Sequence, residues 1–304
     1  MKTNLQKQCE KYGINISKIN KNGTIDVDGD VVIVNSTITS LPLMFNKVTG
    51  DFCVNNNKLT TLEGCPKEVG GNFVCSHNNL TSLKYCPEKV SYDFDCSFNN
   101  LTSLKFCPMV IKYGFDCSYN KLTALEFCPG NVVYDFNCSH NNLTSLNDCP
   151  FEIVHDFDCS YNSLTSLEDC PSVGADFNCS TNKLTSLEGI QYGIDGVFDC
   201  SNNLLTSLYE CPVAILDCFI CSYNLLTSLE YCPDDIGGFF DCSNNKIETL
   251  EYFPNENYDF CDCSNNNILL SKIINSPYYI NLDLKKFGFT EEEIRIATIE
   301  NIIS

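Results

Sequence analysis

The chain has 304 residues, of which 43% are apolar, so it carries enough nonpolar side chains for a sizeable buried core. Asp and Glu outnumber Lys and Arg by 39 to 19, which gives a formal net charge of -20 at pH 7. This excess of acid repels phosphate backbones and anionic lipids, which argues against nucleic acid and bare membrane as partners and favours a basic protein surface or a cation.

Residues 1–30 are predicted to form an N-terminal cap. Residues 2–12 predict a short helix that ends at Gly13, and strands are expected around the turn dipeptide Asp28-Gly29. The opening residues lack the apolar segment of a signal peptide, and no run of the sequence approaches eighteen apolar residues. We therefore expect neither export nor a membrane-spanning segment.

A 21-residue repeat fills residues 31–270, and its unit is Phe-x-Cys-x-x-Asn-x-Leu, as in "DFDCSFNNLTSL" from Asp93 to Leu104. Phe and Cys alternate with period two, as in a strand with one buried face. The Asn side chain has both a donor and an acceptor for the neighbouring turns. A "CP" dipeptide later in most units predicts an extended segment on the opposite side. The aligned final positions of the unit are Ile38, Leu59, Leu80, Leu101, Leu122, Leu143, Leu164, Leu184, Leu205, Leu226, Ile247 and Ile268.

The unit resembles the leucine-rich-repeat template L-x-L-x-x-N-x-L, with Phe and Cys in two of the leucine positions. "NNLTSL" is similar to the short repeats of secreted bacterial effector proteins, and the cysteine-rich "VGGNFVCSHNNLTSLKYCP" is similar to repeats encoded by tailed bacteriophages and giant viruses. The resemblance implies a β-rich solenoid, a leucine-rich-repeat horseshoe of about 12 rungs with one parallel sheet and small N- and C-terminal caps. It implies macromolecular recognition, but not the ubiquitin-ligase activity of some effectors, because the tail after Ile268 contains no cysteine.

Of the twenty-two cysteines, ten lie in the strand motif and eight precede proline, so they form two inward columns. A column of cysteines is expected to pack like a column of small hydrophobic residues. Stacked strands lie roughly 4.8 Å apart, which makes disulfides between rungs conceivable. We expect buried free thiols instead, and hence a reducing cytoplasm, that of the host cell if the protein is viral. No cofactor and no metal site is predicted, because no cysteine quartet accompanies the three histidines.

Residues 271–304 are predicted to form a helical C-terminal cap. Thr290 and Glu293 have the spacing of a capping box, which predicts a helix from there to about Ile303. A solenoid needs terminal segments that are less apolar on their outer side, and both ends of the chain fit that role. A small docking role for the C-terminal helix is the alternative.

Strand residues that point away from the core are expected to line a concave face with an acidic row, a serine row and an aromatic row. Acidic contact with a partner is expected near residues 93–178 and apolar contact near residues 197–240, including Phe240. The alternative is that the aspartates only keep an exposed sheet soluble. The candidate partner-binding residues are Asp93, Asp95, Asp116, Asp135, Asp156, Asp158, Asp176, Asp199, Phe98, Tyr119, His140, Tyr161 and Tyr223.

The predicted function is non-enzymatic recognition, in which a monomer binds a protein with a basic surface through this face. No nucleophile–base pair, phosphate loop or metal spacing recurs in the sequence, which argues against an enzyme. Two alternatives stay open. One is a structural or virion-associated component, and the other is an ice- or glycan-binding solenoid that uses the regular Thr and Ser rows.

Overall fold

The computed structural model describes residues 3–190, 193–254, 261–268 and 289–303. The chain divides into two compact units. The first comprises residues 1–162 and 169–172, and the second comprises residues 163–168 and 173–304. Most of the predicted C-terminal cap, residues 271–288 and 304, lies outside the described residues, so the three predicted domain boundaries stay predictions.

The first unit begins with helix α1 (Asn4–Lys11), which confirms the predicted N-terminal helix. Thr3 caps it and exchanges reciprocal hydrogen bonds with Gln6, and Gly13 follows its end with a φ of 66°. Strands β1 (Ile16–Ile19) and β2 (Ile25–Val27) then pair antiparallel. These elements precede the repeats and have the hydrogen-bond pattern expected of a helix followed by a hairpin.

Each rung of the first unit contributes a two-residue strand whose first residue is usually the repeat phenylalanine. These strands pair in parallel and without slippage, so that Phe115 lies opposite both Phe94 and Phe136. We call this the Phe row, and it is the predicted parallel sheet. Its strands in the first unit are β3 (Val31–Val32), β5 (Phe52–Cys53), β7 (Phe73–Val74), β9 (Phe94–Asp95), β11 (Phe115–Asp116), β13 (Phe136–Asn137) and β15 (Phe157–Asp158).

A second row of parallel strands lies earlier in each rung, and the sequence analysis did not predict it. Its inward residue is a Val or Ile four positions before the repeat phenylalanine, such as Val69, which pairs with Val90. The corner between the two rows is three residues long. The strands of this second row in the first unit are β4 (Phe45–Val48), β6 (Glu68–Val69), β8 (Lys89–Val90), β10 (Val110–Ile111), β12 (Asn131–Val132) and β14 (Glu152–Ile153).

The second unit repeats both rows and ends with helix α2 (Glu291–Ile303). Thr290 and Glu293 form the predicted capping box, with bonds of 2.7 Å and 3.2 Å. No helix among the described residues is long and apolar enough to cross a membrane. The Phe-row strands of this unit are β17 (Phe177–Asn178), β19 (Phe198–Asp199), β21 (Phe219–Ile220), β23 (Phe240–Asp241) and β24 (Cys261–Asp262). Its second-row strands are β18 (Gly193–Ile194), β20 (Ala214–Ile215) and β22 (Asp235–Ile236), and β16 (Ser172–Val173) has one residue in each unit.

The core of each unit is a set of stacked columns, as predicted. The phenylalanine rings are buried, and neighbouring ring centroids lie 5.2–5.8 Å apart in the first unit. Burial of one such side chain stabilises the fold by about 1.5–3 kcal/mol. Cys96, Cys117 and Cys138 lie beside them as fully buried free thiols. The prediction that strand cysteines pack in the core is confirmed.

The repeat asparagine ties each rung to the one before it. Asn141 donates from Nδ2 to the carbonyl oxygens of Cys117, Cys138 and Ser139, each at 3.1 Å. Its Oδ1 accepts the backbone N–H of Leu122 at 2.9 Å. One buried amide thus contacts four backbone groups at the turn and is the partner of the Leu122 N–H, while the three carbonyl groups also accept from Asn120, Asn162 or the N–H of Tyr119.

Candidate functional site

The first acidic row consists of the outward residue of each Phe-row strand. Its aspartates accept a backbone hydrogen bond that was not predicted from the sequence. Oδ1 of Asp95, Asp116 and Asp158 accepts the backbone N–H of the serine two residues later, at 2.8–2.9 Å. Asp199 makes the same bond in the second unit at 2.9 Å. Asn137 does so at 3.0 Å. A side-chain oxygen at this position therefore supports the turn without a charge, although Val74 and Ile220 hold the same position in other rungs without an oxygen.

Burial affects the carboxyl group of Asp116. Loss of hydration raises its pKa above the ordinary value, although bonds to Ser118 oppose the shift. Strand pairing places Asp116 directly opposite Asp95. The first acidic row is thus a line of half-buried carboxylates, rather than the fully solvated surface that its composition suggests.

The second acidic row stands one residue before the repeat phenylalanine and connects adjacent rungs. Oδ1 of Asp93 accepts the backbone N–H of Gly114, and Oδ1 of Asp176 accepts that of Val197, both at 2.8 Å. Oδ1 of Asp135 accepts the N–H of Asp156 at 3.3 Å. The predicted acidic residues therefore lie in two rows on either side of the buried phenylalanine column.

The predicted aromatic residues of the first unit form a continuous stack. Ring centroids of His77, Phe98, Tyr119, His140 and Tyr161 lie 3.9–4.1 Å apart in sequence order, and neighbouring planes are within 13° of parallel. The rings are partly exposed to solvent. We call these five residues the aromatic stack.

Tyr223 occupies the equivalent position in the second unit, where Asn202 and Asn244 flank it in the adjacent rungs. It therefore does not continue a run of rings along its own unit. The structure brings four of the five candidate aromatic residues together in one run with His77, which the repeat places in the same row.

The aromatic stack is built on an unfavourable backbone conformation. Phe98, Tyr119 and Tyr161 have φ values of 50–52°, in the left-handed region that bulky residues rarely adopt. Asn35 and Asn56 hold the same position in earlier rungs with φ values of 51° and 54°, and asparagine tolerates this region well. Aromatic residues also have positive φ at Tyr85, Phe106 and Phe127, so this row is distinguished by its ring stacking rather than by strain alone.

A second aromatic row was missed by the sequence analysis. The rings of Tyr92, Tyr113 and Tyr134 follow one another at 4.9 Å and 5.2 Å, and His155 continues the row at 5.7 Å. The signal in the sequence is a tyrosine two residues before the repeat phenylalanine in three successive rungs. Each strand of the Phe row here has an aromatic residue near both ends. We call the two acidic rows of the first unit together with these two aromatic rows the acid–aromatic face.

Two expectations about this surface were wrong. The serines after each cysteine are buried, with Ser118 only 2% exposed, so they offer no polar row to a partner. Their carbonyl groups accept bonds from the preceding rung, such as His77 N–H to Ser97 at 3.1 Å, which holds them inside the stack. Phe240 is fully buried as well, because it occupies the inward position of its strand, and it cannot contribute an apolar contact.

One group of side chains has the composition of a metal site, although no metal site was predicted. One ligand atom from each of Asp135, His155 and Asp156 lies within 4.8 Å of the other two. It is the only such cluster found in the part of the chain that the structure describes.

Comparison with solved structures identifies the architecture. The chain is similar to YopM from Yersinia enterocolitica WA-314, with 22% identity and a TM-score of 0.59 over 79% of this chain and 60% of that one. It is also similar to the APL1 leucine-rich repeat domain, with 17% identity and a TM-score of 0.51 over 83% of this chain and 88% of that one. The protein therefore has the leucine-rich-repeat fold and spans 60% of the length of YopM. No protein-family model and no curated protein matches the sequence, and the resemblance to viral proteins stays a prediction.

Proposed function

We propose that the protein is a non-enzymatic recognition scaffold that binds a protein with a basic surface through the acid–aromatic face. The leucine-rich-repeat fold of the structural neighbours supports a protein-interaction scaffold in general. The observation that carries the specific proposal is the aromatic stack, whose rings keep a strained backbone conformation beside a row of carboxylates. Aromatic side chains with this mixture of rigidity and exposure are typical anchors in protein interfaces.

The charge pattern of the face favours a cationic partner. Asp95 and Asp116 lie on adjacent paired strands, and two unit charges at the roughly 4.8 Å strand spacing repel by about 0.9 kcal/mol in bulk water. At an effective dielectric constant of 20 the repulsion is about four times larger. Lysine or arginine side chains from a partner would remove this cost.

The aromatic rings can also bind cations directly. Elsewhere in the chain, the ammonium group of Lys84 lies 4.8 Å from the ring centroid of Tyr85, and that of Lys105 lies 5.4 Å from Phe106. Such contacts contribute about 0.5–1 kcal/mol at exposed sites. A lysine-rich or arginine-rich segment that crosses the face would combine ion pairs with cation–π contacts. We further propose that the scaffold acts as a monomer in a reducing cytoplasm, which suits its buried thiols.

Binding of labelled peptides tests the acidic contribution. Fluorescence anisotropy with a Lys/Arg-rich peptide should show saturable binding, whereas a Glu-rich peptide of equal length should not bind. In the double variant Asp95→Asn with Asp116→Asn, Asn keeps the turn bond, as Asn137 shows, and only the charges are lost. We expect its Kd to rise about tenfold.

The matched control is Asp241→Asn with Asp262→Asn, which removes two charges from the same row in the second unit. Its Kd should stay within about twofold of the parent protein. Equal loss of affinity in both double variants would mean that net charge alone drives binding, and the proposed site would be wrong.

The aromatic contribution is tested with Tyr119→Asn and Tyr161→Asn. Asparagine occupies the equivalent position in several other rungs, so these changes relieve backbone strain rather than add it. Each should weaken peptide binding by about fivefold to tenfold, since truncated aromatic anchors commonly cost more than 1 kcal/mol. Tyr85→Asn is the control, because Tyr85 is also exposed at positive φ but lies outside the face. An effect of Tyr85→Asn as large as that of Tyr119→Asn would contradict the proposal.

A further inference from the structure

Asp135, His155 and Asp156 form a compact cluster at the outer edge of the Phe row. Nδ1 of His155 lies 3.1 Å from Oδ1 of Asp135 and 3.5 Å from Oδ1 of Asp156. Metal–ligand bonds of 2.0–2.2 Å place adjacent ligand atoms about 3.0–3.5 Å apart in tetrahedral or octahedral geometry. The imidazole-to-carboxylate separations already match that spacing.

Within the repeat, this cluster is distinguished by a histidine beside two aspartates that occupy consecutive rungs. Asp93 stands at the same repeat position as Asp135, but its neighbours in the adjacent rungs are Asn72 and Gly114, which carry no charge. Asp135 and Asp156 instead place carboxylates in consecutive rungs. Asp30 and Asp51 also hold this position in consecutive rungs, where Oδ1 of Asp30 accepts the backbone N–H of Asp51 at 2.8 Å, so paired aspartates recur in the repeat.

The departure from the repeat occurs at the neighbouring position, where the tyrosine row is interrupted. Tyr92, Tyr113 and Tyr134 occupy this position in three successive rungs, and the next rung has His155. The bond from Asp156 N–H to Asp135 is 3.3 Å long, against 2.8 Å for the equivalent bond to Asp93. The Asp135 carboxylate therefore shares its oxygen between the structural N–H and the imidazole.

We propose that these three side chains bind a divalent first-row transition-metal ion such as Zn²⁺ or Co²⁺. With a neutral imidazole, the two carboxylates give the cluster a net charge of −2, which a divalent cation balances. Mixed imidazole and carboxylate ligands suit these ions better than Ca²⁺ or Mg²⁺, which take oxygen ligands. Three protein ligands on an exposed surface leave further positions for water. The inference does not depend on a protein partner.

Paramagnetic Co²⁺ tests the site on the full chain, because the three histidines give distinct imidazole NMR signals. Burial raises the pKa of Cys75, Cys96 and Cys117 well above the ordinary value, so these thiols stay protonated at neutral pH and compete poorly for the ion. Substoichiometric Co²⁺ should shift or broaden the signal of His155 first. His77 lies four rungs away, about 19 Å at the strand spacing, and should change least.

Two variants use residues that the repeat already tolerates at these positions. His155→Tyr restores the tyrosine row, and Asp135→Asn keeps the acceptor for the next rung, as Asn72 does for Asp93. Each should weaken Co²⁺ binding at least about tenfold, whereas the control Asp93→Asn should stay within about twofold. Circular dichroism establishes that all three variants fold. Equal broadening of the three histidine signals, or unchanged affinity in His155→Tyr and Asp135→Asn, would overturn the proposal.

Discussion

Replacement of Asn141 by alanine tests the physical basis of the repeat. The amide of Asn141 donates to three carbonyl groups at 3.1 Å and accepts one N–H at 2.9 Å. The side chain is only 8% exposed, so water cannot replace it without an opening between rungs. Asn141→Ala should therefore leave the buried N–H of Leu122 without a partner and remove the bonds to three carbonyl groups, whose remaining partners are Asn120, Asn162 and the N–H of Tyr119.

The expected loss follows from the number of bonds. The amide has two N–H donors and one accepting oxygen, so at about 1 kcal/mol for each hydrogen bond Asn141→Ala should lower the free energy of unfolding by about 3 kcal/mol. Urea titration followed by circular dichroism measures this loss as a lower midpoint. If the two units unfold separately, the transition of the first unit should move and the other should not.

Asn142→Ala is the matched control because Asn142 is the next residue and its side chain is exposed. Surface substitutions of this kind usually change stability by less than about 0.5 kcal/mol. A difference below about 1 kcal/mol between the two alanine variants would refute the argument that the buried amide holds adjacent rungs together.

Two further predictions concern titratable groups in the stack. Asp116→Asn should stabilise the protein at pH 7 more than at pH 3. Burial raises the pKa of Asp116 in the folded state. The folded protein therefore loses stability as the pH rises above the pKa of the unfolded state, about 3.9, and the Asn variant does not. Urea midpoints of both proteins at the two pH values measure this, and an equal difference at pH 3 and pH 7 would contradict it. Iodoacetamide at pH 8 should alkylate the partly exposed Cys218 in the native protein and leave Cys138 intact, because burial raises the pKa of Cys138 and blocks access. Mass spectrometry of digested samples identifies the labelled thiols, and native labelling of Cys138 at the rate of Cys218 would show that the stack opens.

Only part of the candidate site could be predicted from the sequence. The repeat spacing identified Asp95 and Asp116 as outward residues of successive strands and Tyr119 as an outward residue after the second of them. It could not show that an Asp side chain bonds to the serine N–H two residues later, since that bond depends on the turn geometry after the strand. The serine row was misjudged for the same reason, because strand alternation no longer holds once the chain turns.

The cluster of Asp135, His155 and Asp156 shows a different limit. Asp135 and His155 are twenty residues apart, and only the parallel register of adjacent rungs brings their side chains to 3.1 Å. A spacing of twenty residues does not resemble a metal-binding motif in sequence. The spacing indicates proximity only because residues about 21 apart in the sequence lie next to each other in adjacent rungs.

The sequence by itself determined the rung length, the inward columns of Phe, Cys and Leu, and the role of the asparagine, because each rung must bury the same positions against its neighbours. Only the tertiary structure decided how the outward residues are used. Stacking at a fixed spacing turns single aromatic residues into a continuous run of rings and single carboxylates into rows. Those contacts lie between rungs, so they depend on register and backbone conformation that no single repeat unit contains.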